Sequence, residues 1–190
     1  MKEMNRREFL TLSGAAVVAL SLASCGGPST PPAPTTSKET ELLTAINKVW
    51  KEKHDAGTVV HEQLTLNQDG VDVISAYGHV FEEANETPHI PTKDDVTMIS
   101  EGSDKFAKKM EKYGNNCFAG MAGVSRLFAA KTIALEDAYS CEDTAVQAFV
   151  EKLLTSDPKH SPKAEFISIY CPVVKNETYM TAVVFWNKTA

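Results

Sequence analysis

The chain has 190 residues, 43% of them hydrophobic and 23% charged, with 19 basic and 25 acidic side chains and a formal net charge of −6. That balance suits one globular domain with a buried core. It argues against a nucleic-acid partner, because an acidic chain repels a polyanion and no basic patch interleaved with aromatics occurs.

The first stretch does not read as globular. Asn5-Arg6-Arg7-Glu8-Phe9-Leu10 resembles a twin-arginine export motif, and the apolar run from Gly14 to Ala23 that follows is too short for a permanent membrane span. The run ends in Leu22-Ala23-Ser24-Cys25, which resembles a bacterial lipobox, where the cysteine thiol is acylated and the chain is cut just before it. Residues 1–24 are therefore expected to be a signal peptide and Cys25 a lipid-modified N-terminus. One acyl chain holds a protein marginally and two hold it stably, so a multiply acylated Cys25 is a sufficient anchor. The expected location is the extracytoplasmic face of the cell membrane. The Pro/Thr/Ser tract from Gly26 to Ser37 buries nothing and favours extended chain. Residues 25–37 thus read as a tether and residues 38–190 as the folded domain.

Thr36 and Glu39 have the spacing of a capping box, and Leu42, Ile46, Val49 and Trp50 fall on one side of a first helix that ends at Asp55-Ala56-Gly57. Leu64-Thr65-Leu66 leads to Asn67, an N-cap for a second helix on which Val71, Ile74, Gly78 and Phe81 share a face. Pro88 stops that helix no later than Thr87. A polar stretch from Pro91 to Ser103 is expected to precede a third helix carrying Phe106, Met110 and Tyr113 and stopped by Gly114. Between Asn115 and Tyr139 the pattern allows a strand or a short helix. Ser140 and Asp143 then resemble a capping box for a helix from Ser140 to Leu154, whose Val146, Phe149, Val150 and Leu153 form an apolar face. A polar turn through His160 leads to two strands, Phe166 to Val174 and Tyr179 to Trp186, joined at Lys175-Asn176-Glu177. Both are mostly apolar, as strands covered on both faces would be. The order of elements suggests an α/β fold in which helices pack on a sheet.

No hydrolase, nucleotide-binding or calcium-binding motif occurs, so candidate residues are scattered. Among His54, His61, His79, His89 and His160, two follow helices at Pro-containing breaks, His89 and His160. A ring there is free of helix packing and suits metal ligation or proton transfer. His79, inside the second helix, is expected to pack or hydrogen-bond. Cys117, Cys141 and Cys171 remain beyond Cys25; at most two of them pair, and all three pairings stay open. No Cys-x-x-Cys spacing points to a zinc ribbon.

The order of these pieces resembles the CAP superfamily, which comprises cysteine-rich secretory proteins, antigen 5 and pathogenesis-related proteins (SCP-like domains). Leu64-Thr65-Leu66-Asn67 and the helix running to His89 are similar to the family's second helix and first histidine. Ala134-Leu135-Glu136-Asp137-Ala138 resembles its Gly-Glu-Asn segment, Ser156-Asp157-Pro158-Lys159-His160 its second histidine turn, and Phe166 to Trp186 its closing strands. Leu135, Asp137, Pro88 and Lys159 depart from the family's usual residues. The resemblance implies an α-β-α sandwich with a central, mostly antiparallel sheet flanked by helices. It also implies a cleft lined by His89, His160 and Glu136, with Glu151 as a fourth group, suited to zinc or another divalent metal with an open position. Without metal, a carboxylate orienting a histidine makes a general base. Two functions follow: a membrane-tethered binding module for a lipid-like, metal-linked or envelope ligand, or a hydrolase of cell-envelope or peptide substrates using the same residues. A transporter-associated binding protein is disfavoured, since the folded part is short for a two-lobed clamp.

Overall fold

The computed structural model describes residues 37–86, 92–114, 117–123 and 138–188. The first helix, α1 (Ser37–Asp55), buries Leu42, Ile46 and Trp50 one turn apart, and the Trp50 indole N–H donates to the His61 carbonyl at 3.1 Å. It ends as the sequence suggests. Gly57 sits at φ 72, its N–H donates to the His54 carbonyl at 2.8 Å, and the Thr58 N–H donates to the Lys53 carbonyl at 2.8 Å, a Schellman cap.

Strand β1 (Thr65–Leu66) hands over to Asn67, whose side chain caps a short 3-10 turn, Gln68–Gly70, running directly into α2 (Val71–Glu86). Helix α2 is described as far as Glu86, and its expected stop at Pro88 lies outside the described residues. Helix α3 (Lys93–Met110) begins much earlier than the sequence pattern suggests. Thr92 and Asp95 form a capping box, and Ile99 and Gly102 are buried against α2 in the segment that reads as polar. Only one face of that segment is polar. A Cβ at Gly102 would lie 2.7 Å from the Asp72 carbonyl oxygen, so the two helices approach backbone to backbone.

The unassigned region supplies strand β2 (Phe118–Ala122). Helix α4 spans Asp143–Ser156 rather than starting at Ser140. Its N-cap is Glu142, while Ser140 forms an antiparallel bridge with Tyr179, because sheet pairing claims the backbone that a capping box would have used. The two long strands of the sequence reading are shorter and interrupted. They resolve into β3 (Phe166–Tyr170), a hairpin of β4 (Val173–Val174) and β5 (Glu177–Thr178), and β6 (Thr181–Phe185). Lys175 and Asn176, at φ 50 and 67, make a two-residue turn in left-handed backbone conformation, whose twist matches the right-handed twist of the strands it joins.

The main sheet has the order β1-β3-β6-β2, with β1 parallel to β3 and the other pairs antiparallel, so the class is mixed α/β. Apolar side chains form a layer on each face. Ile167, Ile169, Ala182 and Val184 pack with Leu42, Ile46 and Trp50 of α1 and with Phe149 and Leu153 of α4. Val183 and Phe185 pack with Ile74 and Phe81 of α2 and Ile99 and Phe106 of α3. No helix among the described residues is long and apolar enough to cross a membrane.

At the end of β2, Gly123 holds φ 101, and a Cβ there would lie 2.3 Å from the Met180 carbonyl oxygen. Strain and overlap act in the same direction, so Gly123→Ala is expected to lower unfolding stability by about 2 kcal/mol or more, read from urea midpoints. An unchanged midpoint would mean that β2 does not approach β6 so closely.

Candidate functional site

Helix α4 ends at Ser156, and the chain then folds back on Asp157. The Asp157 carbonyl accepts the N–H groups of His160 and Ser161 at 3.0 and 2.8 Å, and its Oδ1 accepts those of Lys159 and His160 at 3.2 and 3.3 Å. An aspartate that bonds the backbone two and three residues on is the expected turn former at a helix end. Buried Ser161 locks this turn to the sheet. Its hydroxyl lies 2.5 Å from the Ala119 carbonyl and 2.9 Å from that of Leu153, so its single proton serves one of two acceptors. Gly120 permits the approach, since a Cβ there would lie 2.2 Å from Ser156 Oγ and 2.8 Å from Ser161 Oγ.

The turn presents the His160 ring. Nδ1 lies 2.7 Å from Asp157 Oδ2, and the ring stacks on the Trp186 indole with centroids 5.3 Å apart and planes inclined by 20°. The Trp186 main-chain N–H donates to the Cys117 carbonyl at 3.1 Å, which holds this residue's backbone beside β2. The His160 and Asp157 side chains are 28% and 30% exposed, so the pair is reachable from solvent yet held. The His160 hydrogen bond holds the Asp157 carboxyl below its usual range, which matches a carboxylate accepting from an Nδ1–H. That tautomer leaves Nε2 as the ring's acceptor.

The remaining expected site residues distribute as follows. Glu151, on α4, is exposed and ion-paired with Lys53 of α1, so it fastens two helices together; the carboxylate at His160 is Asp157. His89 and Glu136 lie outside the described residues, as does Cys25. Helix α2, which leads toward His89, has its last turns at the C-terminal end of β3. There Glu82 Oε1 accepts the Val173 N–H at 2.8 Å. His160 stands at the other end, beside Trp186, which follows the Phe185–Phe166 pair. Among the described residues, no three His, Cys, Asp or Glu side chains are grouped to hold a metal ion.

Two polar clusters have partners far apart in the chain that the sequence did not reveal, although His79 hydrogen-bonds as expected. His79 Nδ1 lies 3.1 Å from both Glu82 Oε2 and the Tyr170 hydroxyl, and Gly78 makes room for the Tyr170 ring, whose Cε1 would be 2.3 Å from an added Cβ. The hydrogen bond to Glu82 raises the His79 pKa, and burial raises that of Tyr170. The i, i+3 spacing of His79 and Glu82 was a visible signal. In the second cluster, the Tyr113 hydroxyl donates to Asp69 Oδ2 at 2.5 Å and accepts from Asn67 Nδ2 at 2.8 Å, while Lys112 pairs with Asp69 at 2.7 Å. Burial pushes the Asp69 carboxyl up, but the bonds from Lys112 and Tyr113 outweigh it and leave the pKa lowered. This cluster clamps the start of α2 to the end of α3.

Comparison with protein-family models, curated proteins and solved structures returned no match to this chain.

Two titrations check this geometry. The Asp157 carboxyl should titrate below the ordinary value of about 3.9 by carbon NMR and return toward it in His160→Ala. Its stabilising contribution is present above that ordinary value and is lost as pH falls through the depressed one. His79 behaves oppositely, because its folded-state pKa is raised. The stability difference between wild type and His79→Ala should be full below about pH 6.5 and fade as pH rises through the folded-state value. A difference that grows with pH would contradict the His79–Glu82 pairing.

Proposed function

We propose that this chain is a lipid-tethered, extracytoplasmic domain of the CAP-like α-β-α sandwich type. It binds a small ligand against His160 and Trp186. The paired helices, α1 with α4 and α2 with α3, packed on opposite faces of the mixed sheet support the sandwich reading. The Leu22-Ala23-Ser24-Cys25 segment supports the tether through lipid on Cys25. The observation that carries the ligand site is the Asp157–His160 bond beneath the Trp186 stack. A carboxylate fixes the ring, an indole supports one of its faces, and Nε2 remains the polar point around which an apolar or lipid-like molecule is oriented. Few polar groups in an otherwise apolar wall is how small-molecule sites achieve orientation.

The same bond favours a second reading, a hydrolase of envelope or peptide substrates. With Nδ1–H held by Asp157, Nε2 accepts a proton from water as general base. Ser161, next in sequence, is no nucleophile, because it is buried with its hydroxyl bonded to main-chain carbonyls.

Zinc fits these described donors incompletely. His160 has the carboxylate-held Nδ1 typical of a ligating histidine, but Glu151 is engaged with Lys53, so a zinc site rests on His89 and Glu136 joining His160.

Solvent extraction of the purified domain followed by mass analysis, repeated after incubation with envelope lipids, should recover bound lipid from wild type. His160→Ala should retain at most a tenth as much. Equal recovery from both, or from neither, overturns the binding reading. Release of products from envelope fragments by wild type but not by His160→Ala would instead establish the hydrolase.

A further inference from the structure

The three cysteines beyond Cys25 leave three pairings open on sequence grounds, and their positions in the fold remove two of them. Cys117 is buried among the side chains of α2 and α3 on one face of the sheet, its Sγ 3.5 Å from the Met110 carbonyl. Cys141 and Cys171 both pack against the other layer, with α1 and α4. The segment ahead of α4 is what brings them together. Tyr139 accepts the Met180 N–H at 2.8 Å, Ser140 bridges to Tyr179, and the Cys141 N–H donates to the Thr178 carbonyl at 3.0 Å. On the other side of the same stretch, the Tyr179 N–H donates to Pro172, the residue after Cys171, at 2.8 Å. The geometry points to Cys141 and Cys171 as a redox pair that closes to a disulfide, with Cys141 the attacking thiolate.

The two thiols are unequal. Cys171, donating toward the Cys141 sulfur, lowers the Cys141 pKa, while the same interaction pushes its own thiol up. Cys141 immediately precedes the N-cap of α4, where the helix dipole favours an anion, and Lys38 of α1 adds positive charge nearby. Access is provided by a cleft that Cys141 lines together with Lys38, Glu41, Leu42 and Val146.

The step needs a low-molecular-weight disulfide as oxidant. The Cys141 thiolate attacks one of its sulfurs, forming a mixed disulfide and expelling one thiolate. Cys171, deprotonated, then attacks Cys141 Sγ and expels the second. The protein loses two protons and two electrons, and the oxidant is reduced to two thiols. Because the partners are already adjacent in the folded chain, the bond forms after folding, with no rearrangement of strand order. It ties the entry of α4 to the end of β3, two places that also meet through the Thr178–Tyr179 stretch, and restricting the unfolded chain over that span stabilises the fold.

The test uses the reduced, purified chain treated with oxidised glutathione, then alkylated and mapped by mass spectrometry. A Cys141–Cys171 cross-linked peptide is expected, with Cys117 alkylated only after denaturation. The oxidised form should melt several degrees higher, a rise absent from Cys141→Ser and Cys171→Ser. In the reduced wild type, limiting iodoacetamide should alkylate Cys141 ahead of Cys171. A cross-link between any other pair, persistent separate adducts on Cys141 and Cys171, or no reaction at all would each overturn the assignment.

Discussion

The fold depends on one constraint: the β3–β6 antiparallel pair is covered on both faces. All five residues of β6, Thr181 to Phe185, are fully buried, and alternate side chains enter opposite layers. Burial is worth about 25 cal/mol per Å² of apolar surface, and this strand contributes to both layers at once. It also forbids unpaired polar groups there, since each would cost ~1–3 kcal/mol. The two hydroxyls that do lie inside are satisfied. Ser168 accepts the Gly70 N–H at 2.9 Å and donates to the Asn67 carbonyl, and Thr181 donates to the Ala122 carbonyl at 3.2 Å.

Everything chemical is consequently displaced to the ends of the sheet. At one end, where β6 runs out into Trp186, the turn after α4 delivers Asp157 and His160. At the other, the chain leaves β3 through Tyr170 and Cys171 and meets His79, Glu82 and the approach to α4. Helix α4 therefore connects the two regions, with Cys141 just ahead of its first turn and His160 just after its last. Its anchorage to α1 through Glu151 and Lys53 is an exposed contact of the kind worth under about 1 kcal/mol, so its position is set by Phe149, Val150 and Leu153 in the core.

The Asp157–His160 bond shows how a loop acquires a defined geometry. Backbone donors hold the Asp157 carboxylate from below, Ser161 pins the turn to β2, and Trp186 covers the ring. Each contact is modest, yet together they leave the imidazole few orientations. A side chain so constrained has little conformational entropy left to lose.

Local signals were sufficient for much of this architecture. The apolar spacing of Leu42, Ile46 and Trp50 and the caps at Asn67 and Gly57 depend on neighbours within one or two turns, and they are legible in the chain. So was the turn that carries His160 after α4, since Pro158 breaks the helical pattern. The start of α3 at Thr92 was hidden by a polar face, and the role of Ser140 by a competing bridge to Tyr179. The partners of His160 were half visible: Asp157 lies three residues away, but Trp186 arrives from the far end of β6. The pairing of Cys141 with Cys171, the commitment of Glu151 to Lys53 and the joining of His79 to Tyr170 have no local trace. Periodicity reports which face of an element is apolar, whereas contacts across strands and between helices depend on register and layer order, which only the packed sheet decides.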